Sequence, residues 1–228
     1  MDILDAIRQR HSVRAYTTEP IEDSKVSMIS TSLDEYNRQS GLALRLVVAE
    51  PRAFSGRLAR YGKFDAVRNY IAVVGPAKEP NLDEKLGYWG EHAVLLAQML
   101  GLNTCWVGLT FSKVPEALGL KPDEKLRALI AIGYGASAGV EHKIKSAQKV
   151  AKSLLPEGKW PEWFKAGVDA ALLAPTAVNQ QKFHFTLQPD GRTVSAKAGL
   201  GFFSHVDLGI VKYHFEQGAG KENFDWQA

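Results

Sequence analysis

Residues 90–100 constrain the fold more than any other stretch of the chain. A helix over this range has almost no polar face, because its apolar side chains come from Ala93, Val94, Leu95, Leu96, Ala97, Met99 and Leu100. Gly101 supplies a C-terminal stop. A helix that is apolar on every side has to be buried on every side. We therefore expect this helix at the centre of the molecule.

Helix and strand patterns alternate along the rest of the chain. Apolar residues recur at helical spacing in residues 3–7, 24–37, 161–173 and 205–217. Short apolar runs bounded by turn residues predict strands at residues 42–49, 69–75, 104–108, 127–134, 183–187 and 193–198. The Pro189-Asp190-Gly191 turn joins the last two strands into a hairpin. Residues 136–158 are basic and weakly periodic, so a loop with one helical piece is expected. This alternation favours an α/β or α+β fold.

The composition is that of a soluble globular protein. Hydrophobic residues make up 45% and charged residues 23% of the 228 positions, enough for a substantial core. The net charge of +3 is too small to indicate nucleic acid, and no basic stripe with stacking aromatics accompanies it. No run approaches the roughly 20 apolar residues of a membrane span, and the N-terminus lacks a signal core. We expect a cytoplasmic protein without a membrane partner.

The single cysteine, Cys105, leaves no possibility of an internal disulfide or of a cysteine-based metal cluster. Its neighbours are mostly apolar, so we expect a buried and inert thiol. No metal site is predicted.

Two groups of cations are candidates for binding an anion. Arg10, Ser12 and Arg14 follow the first helix, where two guanidinium groups and a hydroxyl can converge on a phosphate. Far downstream, Lys143 and Lys145 follow His142 and lie on one side of the chain if that segment is extended. The alternative for both groups is a set of solvated charges, at a helix end in the first case and in a turn in the second.

A third motif runs Pro175-Thr176-Ala177-Val178-Asn179-Gln180-Gln181. Amide and hydroxyl side chains can both donate and accept hydrogen bonds. They suit the alternating donors and acceptors along the pyrimidine edge of an isoalloxazine ring. The alternative is an ordinary polar loop.

These three motifs resemble signatures of the FMN-dependent nitroreductase family. Residues 90–108, 131–135 and 207–210 are also similar to its central helix, its late strand and turn, and a second copy of the helix start. The chain most resembles the TM-type nitroreductase subgroup, in which two nitroreductase-like halves share one chain. Thr176 stands where the family has serine and keeps the hydroxyl, whereas Lys182 replaces a proline and loosens the match.

The resemblance implies an α+β nitroreductase-like fold. It would have three layers, a central mixed or antiparallel sheet, buried core helices and a pseudo-two-fold axis from internal duplication. Residues 1–145 would carry the phosphate-binding cations, and residues 146–228 would carry the flavin loop, in one compact unit.

The resemblance also implies one FMN per chain, bound between the two halves. The implied ligands are Arg10, His11, Ser12, Arg14, His142, Lys143, Lys145, Pro175, Thr176, Ala177, Asn179 and Gln181. Arg14 would stabilise negative charge near N1 and the C2 carbonyl of the reduced ring. Lys63 could approach the ring, and Trp89 or Phe111 could cover it.

The implied activity is hydride transfer from NAD(P)H through FMN to a small-molecule acceptor such as a nitroaromatic, a quinone or an activated alkene. The cofactor performs the chemistry, so no catalytic side chain is required. The alternative is a flavin-binding protein without turnover, such as a store, a sensor or a degenerate relative. The family resemblance is compatible with a monomer that has a pseudo-dimeric fold and with a homodimer.

Overall fold

The structure, a computed structural model, describes residues 1–227. Its helices are α1 (Ile3–Gln9), α2 (Asp23–Ser40), α3 (Arg57–Tyr61), α4 (Leu82–Met99), α5 (Pro115–Leu118), α6 (Ala147–Val150), α7 (Glu162–Leu172) and α8 (Ser204–Ala219). Its strands are β1 (Arg45–Val47), β2 (Tyr70–Pro76), β3 (Asn103–Val107), β4 (Glu124–Gly133), β5 (Ala151–Ser153), β6 (Phe183–Leu187), β7 (Thr193–Ala198) and β8 (Asp225–Trp226). The α+β class is confirmed.

The strands form two separate four-stranded sheets. The first has the order β1-β2-β4-β3 with every pair antiparallel. The second has the order β5-β6-β7-β8, in which β6 and β7 form the predicted antiparallel hairpin and the two outer pairs are parallel. The expectation of one central sheet is therefore wrong. Apolar patterns reveal which strands are buried, but they do not reveal which strands pair.

The long helices α2, α4, α7 and α8 occupy the space between the two sheets, whereas α3 and α5 pack on the outer face of the first sheet. Ile71 and Val73 of β2 pack towards α2 and α4, while Tyr70 faces the other way, as the strand period requires. On the far side of the molecule, Phe185 of β6 and Val194 of β7 pack with α7 and α8. Because α4 also packs against α8, the helices form the middle of the protein and a sheet covers each side.

The crossing of α4 and α8 is unusually close. A Cβ atom on Gly87 would lie 2.0 Å from the carbonyl oxygen of Val206, and one on Gly209 would lie 1.9 Å from that of Glu84. Only glycine fits at these two positions, because any side chain would collide with backbone. The expectation of a buried central helix is confirmed for Ala93, Val94, Leu95 and Ala97, whereas Leu96 is partly buried and Met99 is exposed. The helix α4 also begins earlier than expected, at Leu82.

Several short elements have no counterpart in the sequence pattern. They are α3, α5, β5 and β8, each of five residues or fewer. Such lengths are too short to establish a hydrophobic period. Among residues 1–227 no helix has the length and apolar character to cross a membrane.

Candidate functional site

A cleft opens between the two halves of the chain, and we call it the seam cleft. It holds about 550 Å³ of empty space, part of it open to solvent. The first half contributes Ser12, Arg14, Cys105, Trp106, Gly108 and Ala128. The second half contributes residues 175–178, Phe203, Val206, Asp207 and Ile210. We call residues 10–14 the N-terminal motif and residues 175–181 the Pro175 motif. Parts of both motifs thus line one cavity.

The N-terminal motif reaches the cleft because residues 12–16 run beside β3. The backbone N–H of Val13 donates to the carbonyl of Thr104 at 3.0 Å, and Ser12 forms a parallel bridge with the same residue. The Val13 side chain is buried, so its neighbours Ser12 and Arg14 point the other way, into the cleft. The exposed Arg14 guanidinium carbon lies 6.0 Å from the centre of the Phe64 ring.

Arg10 does not line the seam cleft. It is only 3% exposed, and its Nη2 donates to the carbonyl of Leu173 at the C-terminal end of α7. A cation near a helix C-terminus is favourable because it offsets the negative end of the helix dipole. Burial lowers the pKa of Arg10, and its buried Nε has no hydrogen-bond partner in the described structure. The observed contact is therefore structural, and phosphate binding by Arg10 stays a prediction.

His11 and His142 line a different hollow beside α1, together with Arg10 and Glu141. His142 Nε2 is 3.0 Å from the carbonyl oxygen of Leu172, and burial lowers the pKa of this histidine. Neighbouring residues in the sequence line the two cavities, since His11 lines this hollow and Ser12 lines the seam cleft.

The two lysines differ from one another. The Lys143 side chain is exposed. The Lys145 ammonium instead donates to the backbone carbonyls of Gln180 and Gln181, at 2.7 and 2.9 Å. Lys145 therefore ties its segment to the Pro175 motif.

The amides of the Pro175 motif bond to protein rather than facing the cleft. Asn179 Nδ2 and Gln181 Nε2 both donate to the carbonyl of Lys143, at 2.8 and 2.7 Å. Gln181 Nε2 also donates to Asn179 Oδ1, and Gln181 Oε1 accepts from the backbone N–H of Lys145. Asn179 and Gln181 have positive φ angles of 54° and 44°. Their amides fasten the 143–145 segment, and their role as flavin ligands stays a prediction.

Pro175, Thr176 and Ala177 do line the cleft. The Thr176 hydroxyl accepts from the backbone N–H of Gln181 at 3.1 Å, which closes the loop on itself. Val178 stands at the cleft with 96% of its surface exposed and a φ of 46°. Positive φ is rare and strained for a β-branched residue, and strain of this kind tends to occur at functional sites.

Asp207 is a cleft residue that sequence reasoning missed. It is buried near the start of α8, and its two oxygens accept from the backbone N–H of Ala177 at 2.9 Å and from Gln180 Nε2 at 2.7 Å. Burial raises the pKa of Asp207 to about 6. The available signal was a carboxylate between the apolar residues Val206 and Leu208.

The aromatic walls of the cleft also differ from the expectation. Trp106 and Phe203 line it, whereas Trp89, Phe111 and Lys63 do not. Glycines leave the space that both rings occupy. A Cβ on Gly90 would lie 2.4 Å from the Trp106 ring, and one on Gly108 would lie 2.5 Å from the Phe203 ring.

The expected burial of Cys105 is confirmed, although the residue also borders the cleft. Burial raises the pKa of its thiol, which therefore stays protonated and unreactive at neutral pH.

A second hollow, which we call the tryptophan groove, lies against α4 and the end of α8. Its lining residues are Asn81, Glu84, Lys85, Tyr88, Trp89, Lys212, Glu216 and Trp226. Most of its charged groups bond to one another or to aromatic donors: Lys212 pairs with Glu84 at 2.7 Å, and Glu216 accepts from Tyr88 and Trp226.

Two sheets around a helical centre, with a cleft between the two halves, define a nitroreductase-like fold. A putative nitroreductase from Thermotoga maritima has the same fold with a TM-score of 0.62 and 21% identity, over 97% of this chain and 85% of that one. A putative nitroreductase from Desulfovibrio desulfuricans, solved in complex with FMN, has a TM-score of 0.52 and 23% identity, over 66% of this chain and 95% of that one. No curated protein matches.

A family model described as "Putative TM nitroreductase" matches residues 2–219. The chain belongs to this family.

Proposed function

We propose that this protein is an FMN-dependent oxidoreductase that holds one FMN in the seam cleft. Its cycle would move electrons from NAD(P)H to a small-molecule acceptor such as a nitroaromatic, a quinone or an activated alkene. One observation carries the proposal: Ser12 and Arg14 line the same cleft as residues 175–178. Membership of a nitroreductase family and the FMN complex of the Desulfovibrio relative support it.

The walls of the cleft suit a flat aromatic ring. Trp106 and Phe203 provide apolar surface, and the hydroxyls of Ser12 and Thr176 provide polar contacts nearby. Arg14 reaches the cleft and makes no ion pair within residues 1–227. When bound, FMN supplies two-electron chemistry. The Arg14 charge would favour the reduced, negatively charged form of the ring.

We assign the FMN phosphate to the cations beside α1. His11 and His142 share that hollow with Arg10, whose buried Nε lacks a partner, and Lys143 brings an exposed ammonium from the same segment. A phosphate would supply acceptors for these donors. Lys145, Asn179 and Gln181 would contribute indirectly, by holding the 143–145 segment against the Pro175 motif.

We also propose that the two halves, residues 1–145 and 146–228, arose by internal duplication and form one compact unit. The helix crossing supports this, because Gly87 faces Val206 and Ile210 while Gly209 faces Glu84 and Tyr88, at matching offsets. Both helices follow a left-handed N-cap residue, with φ of 58° before α4 and 57° before α8. A duplicated chain would form its flavin site without a partner, as a monomer, although a homodimer remains compatible with it.

The direct test is purification of the native protein, followed by a visible spectrum and the mass of any released small molecule. We expect a flavin spectrum that NADH or NADPH bleaches without oxygen and that an added quinone or nitroaromatic restores. A bound flavin that neither nucleotide reduces would instead identify a non-catalytic flavin holder. Failure to bind FMN after reconstitution would refute both functions.

A further inference from the structure

A buried acid–base pair lies behind the wall of the seam cleft. Glu91 of α4 and His214 of α8 are both 0% exposed, and Glu91 Oε1 lies 2.8 Å from His214 Nε2. The other carboxylate oxygen, Oε2, accepts from the indole N–H of Trp106 at 2.8 Å. Charged or polar side chains are rarely buried so completely unless their bonds are satisfied. The burial of this pair therefore depends on the hydrogen bonds that its polar atoms make.

The hydrogen bonds of the pair involve all four of its polar side-chain atoms. His214 Nδ1 is 3.2 Å from the carbonyl oxygen of Ala170, which can only accept, so Nδ1 carries a proton. Glu91 Oε2 accepts from Trp106. A hydrogen bond of 2.8 Å joins Glu91 Oε1 to His214 Nε2. Every polar atom of the pair is thus bonded, and Glu91 is fixed by α8 as well as by α4.

Trp106 connects this pair to the cleft. Its ring lines the seam cleft and its N–H binds Glu91, while Gly90 leaves the space in which the ring lies. An indole held by a hydrogen bond at its nitrogen and by packing along its ring cannot rotate about χ2 without breaking that bond. Its orientation in the wall therefore depends on Glu91.

We propose that Glu91, supported by His214, is a positioning residue for the flavin site that holds the Trp106 ring in the orientation FMN requires. This proposal rests on the function proposed above. Glu91 itself does not touch the cofactor. A preorganised wall improves affinity because no side chain has to be ordered when the ligand binds.

The test compares FMN dissociation constants of reconstituted full-length variants by fluorescence titration. We expect Glu91→Met to weaken FMN binding about tenfold, since it removes the acceptor of the indole N–H. Glu91→Gln should stay within about twofold of wild type, because its amide can accept from Trp106 and donate to His214. Circular dichroism and thermal melting establish that each variant is folded.

A matched control is available in the tryptophan groove. Glu216 is also a buried carboxylate that accepts from an indole N–H, that of Trp226, but it does not line the seam cleft. Glu216→Met should therefore lower the melting temperature while leaving FMN affinity within about twofold of wild type.

A double-mutant cycle separates positioning from general destabilisation. In a Trp106→Phe background, which has no indole N–H, Glu91→Met should change FMN affinity by less than about twofold further. Fully multiplicative effects, an unchanged affinity in Glu91→Met, or an equal loss in Glu216→Met would each overturn the positioning role while leaving the flavin site intact. Wild-type protein that binds no FMN would overturn the proposed function and this inference together.

Discussion

The seam cleft and the tryptophan groove use corresponding parts of two helices but differ in how their charges are paired. In each hollow the lining comes from the N-cap residue and from the third, fourth and seventh positions after it. These are Phe203, Val206, Asp207 and Ile210 in the cleft, and Asn81, Glu84, Lys85 and Tyr88 in the groove.

The difference lies in what the charges bond to. In the groove, Lys212 pairs with Glu84 and lies 4.8 Å from the Trp226 ring centre. In the cleft, Arg14 has no carboxylate partner among the residues described. A paired cation has little left to offer an anionic ligand, whereas an unpaired one can bind it. This difference supports the proposal that the seam cleft, rather than the tryptophan groove, binds the anionic ligand.

The largest effect is expected at the crossing of α4 and α8, the helices whose first turns line the two hollows. Gly209→Ala and Gly87→Ala each place a methyl group against a carbonyl oxygen, so each should cost about 3 kcal/mol or more of unfolding free energy. Urea denaturation measures this. Gly41→Ala is the control, because its Cβ would meet open space and only its φ of 73° adds cost. A loss at Gly87 or Gly209 no greater than at Gly41 would contradict the close crossing.

The next effect distinguishes the cations of the two hollows. Removal of one charge-assisted contact, in Arg14→Met, should weaken FMN binding about 10- to 100-fold. The matching change in the groove, Lys212→Met, should stay within about twofold. Fluorescence titration with FMN measures both. Equal losses, or a larger loss in Lys212→Met, would contradict the assignment of the flavin to the seam cleft.

The smallest effect concerns the pH dependence contributed by Asp207. Burial raises its pKa to about 6 in the folded protein, from an ordinary value of 3.8. The folded state therefore binds this proton more tightly than the unfolded state does. The stabilisation from Asp207 is complete below pH 4 and is lost as the pH rises towards and through 6, by about 1–3 kcal/mol.

Asp207→Asn removes that titration. Compared with wild type, the variant should show a flatter fall in unfolding free energy between pH 4 and 6. Urea melts across this range provide the comparison. An identical slope in both proteins would show that Asp207 does not titrate there.

The central helix illustrates what the sequence could reveal about the fold. Its apolar residues 93–97 required burial, and the structure buries nearly all of them. Its first turns were missed because Asp83, Glu84 and Lys85 break the apolar pattern and Gly87 disfavours a helix. That glycine is present for the contact with α8, which a single helix pattern cannot reveal.

The candidate site shows how far the sequence could predict function. Parts of two of the three motifs line the cleft, and the 143–145 segment does not. The motifs did not indicate which atoms face the cleft. The amides of Asn179 and Gln181 bond to the Lys143 carbonyl instead, and Arg10 donates to Leu173 at the end of α7. These outcomes depend on tertiary contacts, as does the choice of Trp106 rather than Trp89 as a wall residue.

The central claim is that one FMN binds per chain, in the seam cleft. The most direct measurement is the molar ratio of FMN to protein after reconstitution with excess FMN and gel filtration. We expect a ratio of one for wild type and for Lys212→Met, and a ratio well below one for Arg14→Met. A ratio of two, or a ratio of zero for the wild-type protein, would contradict the claim.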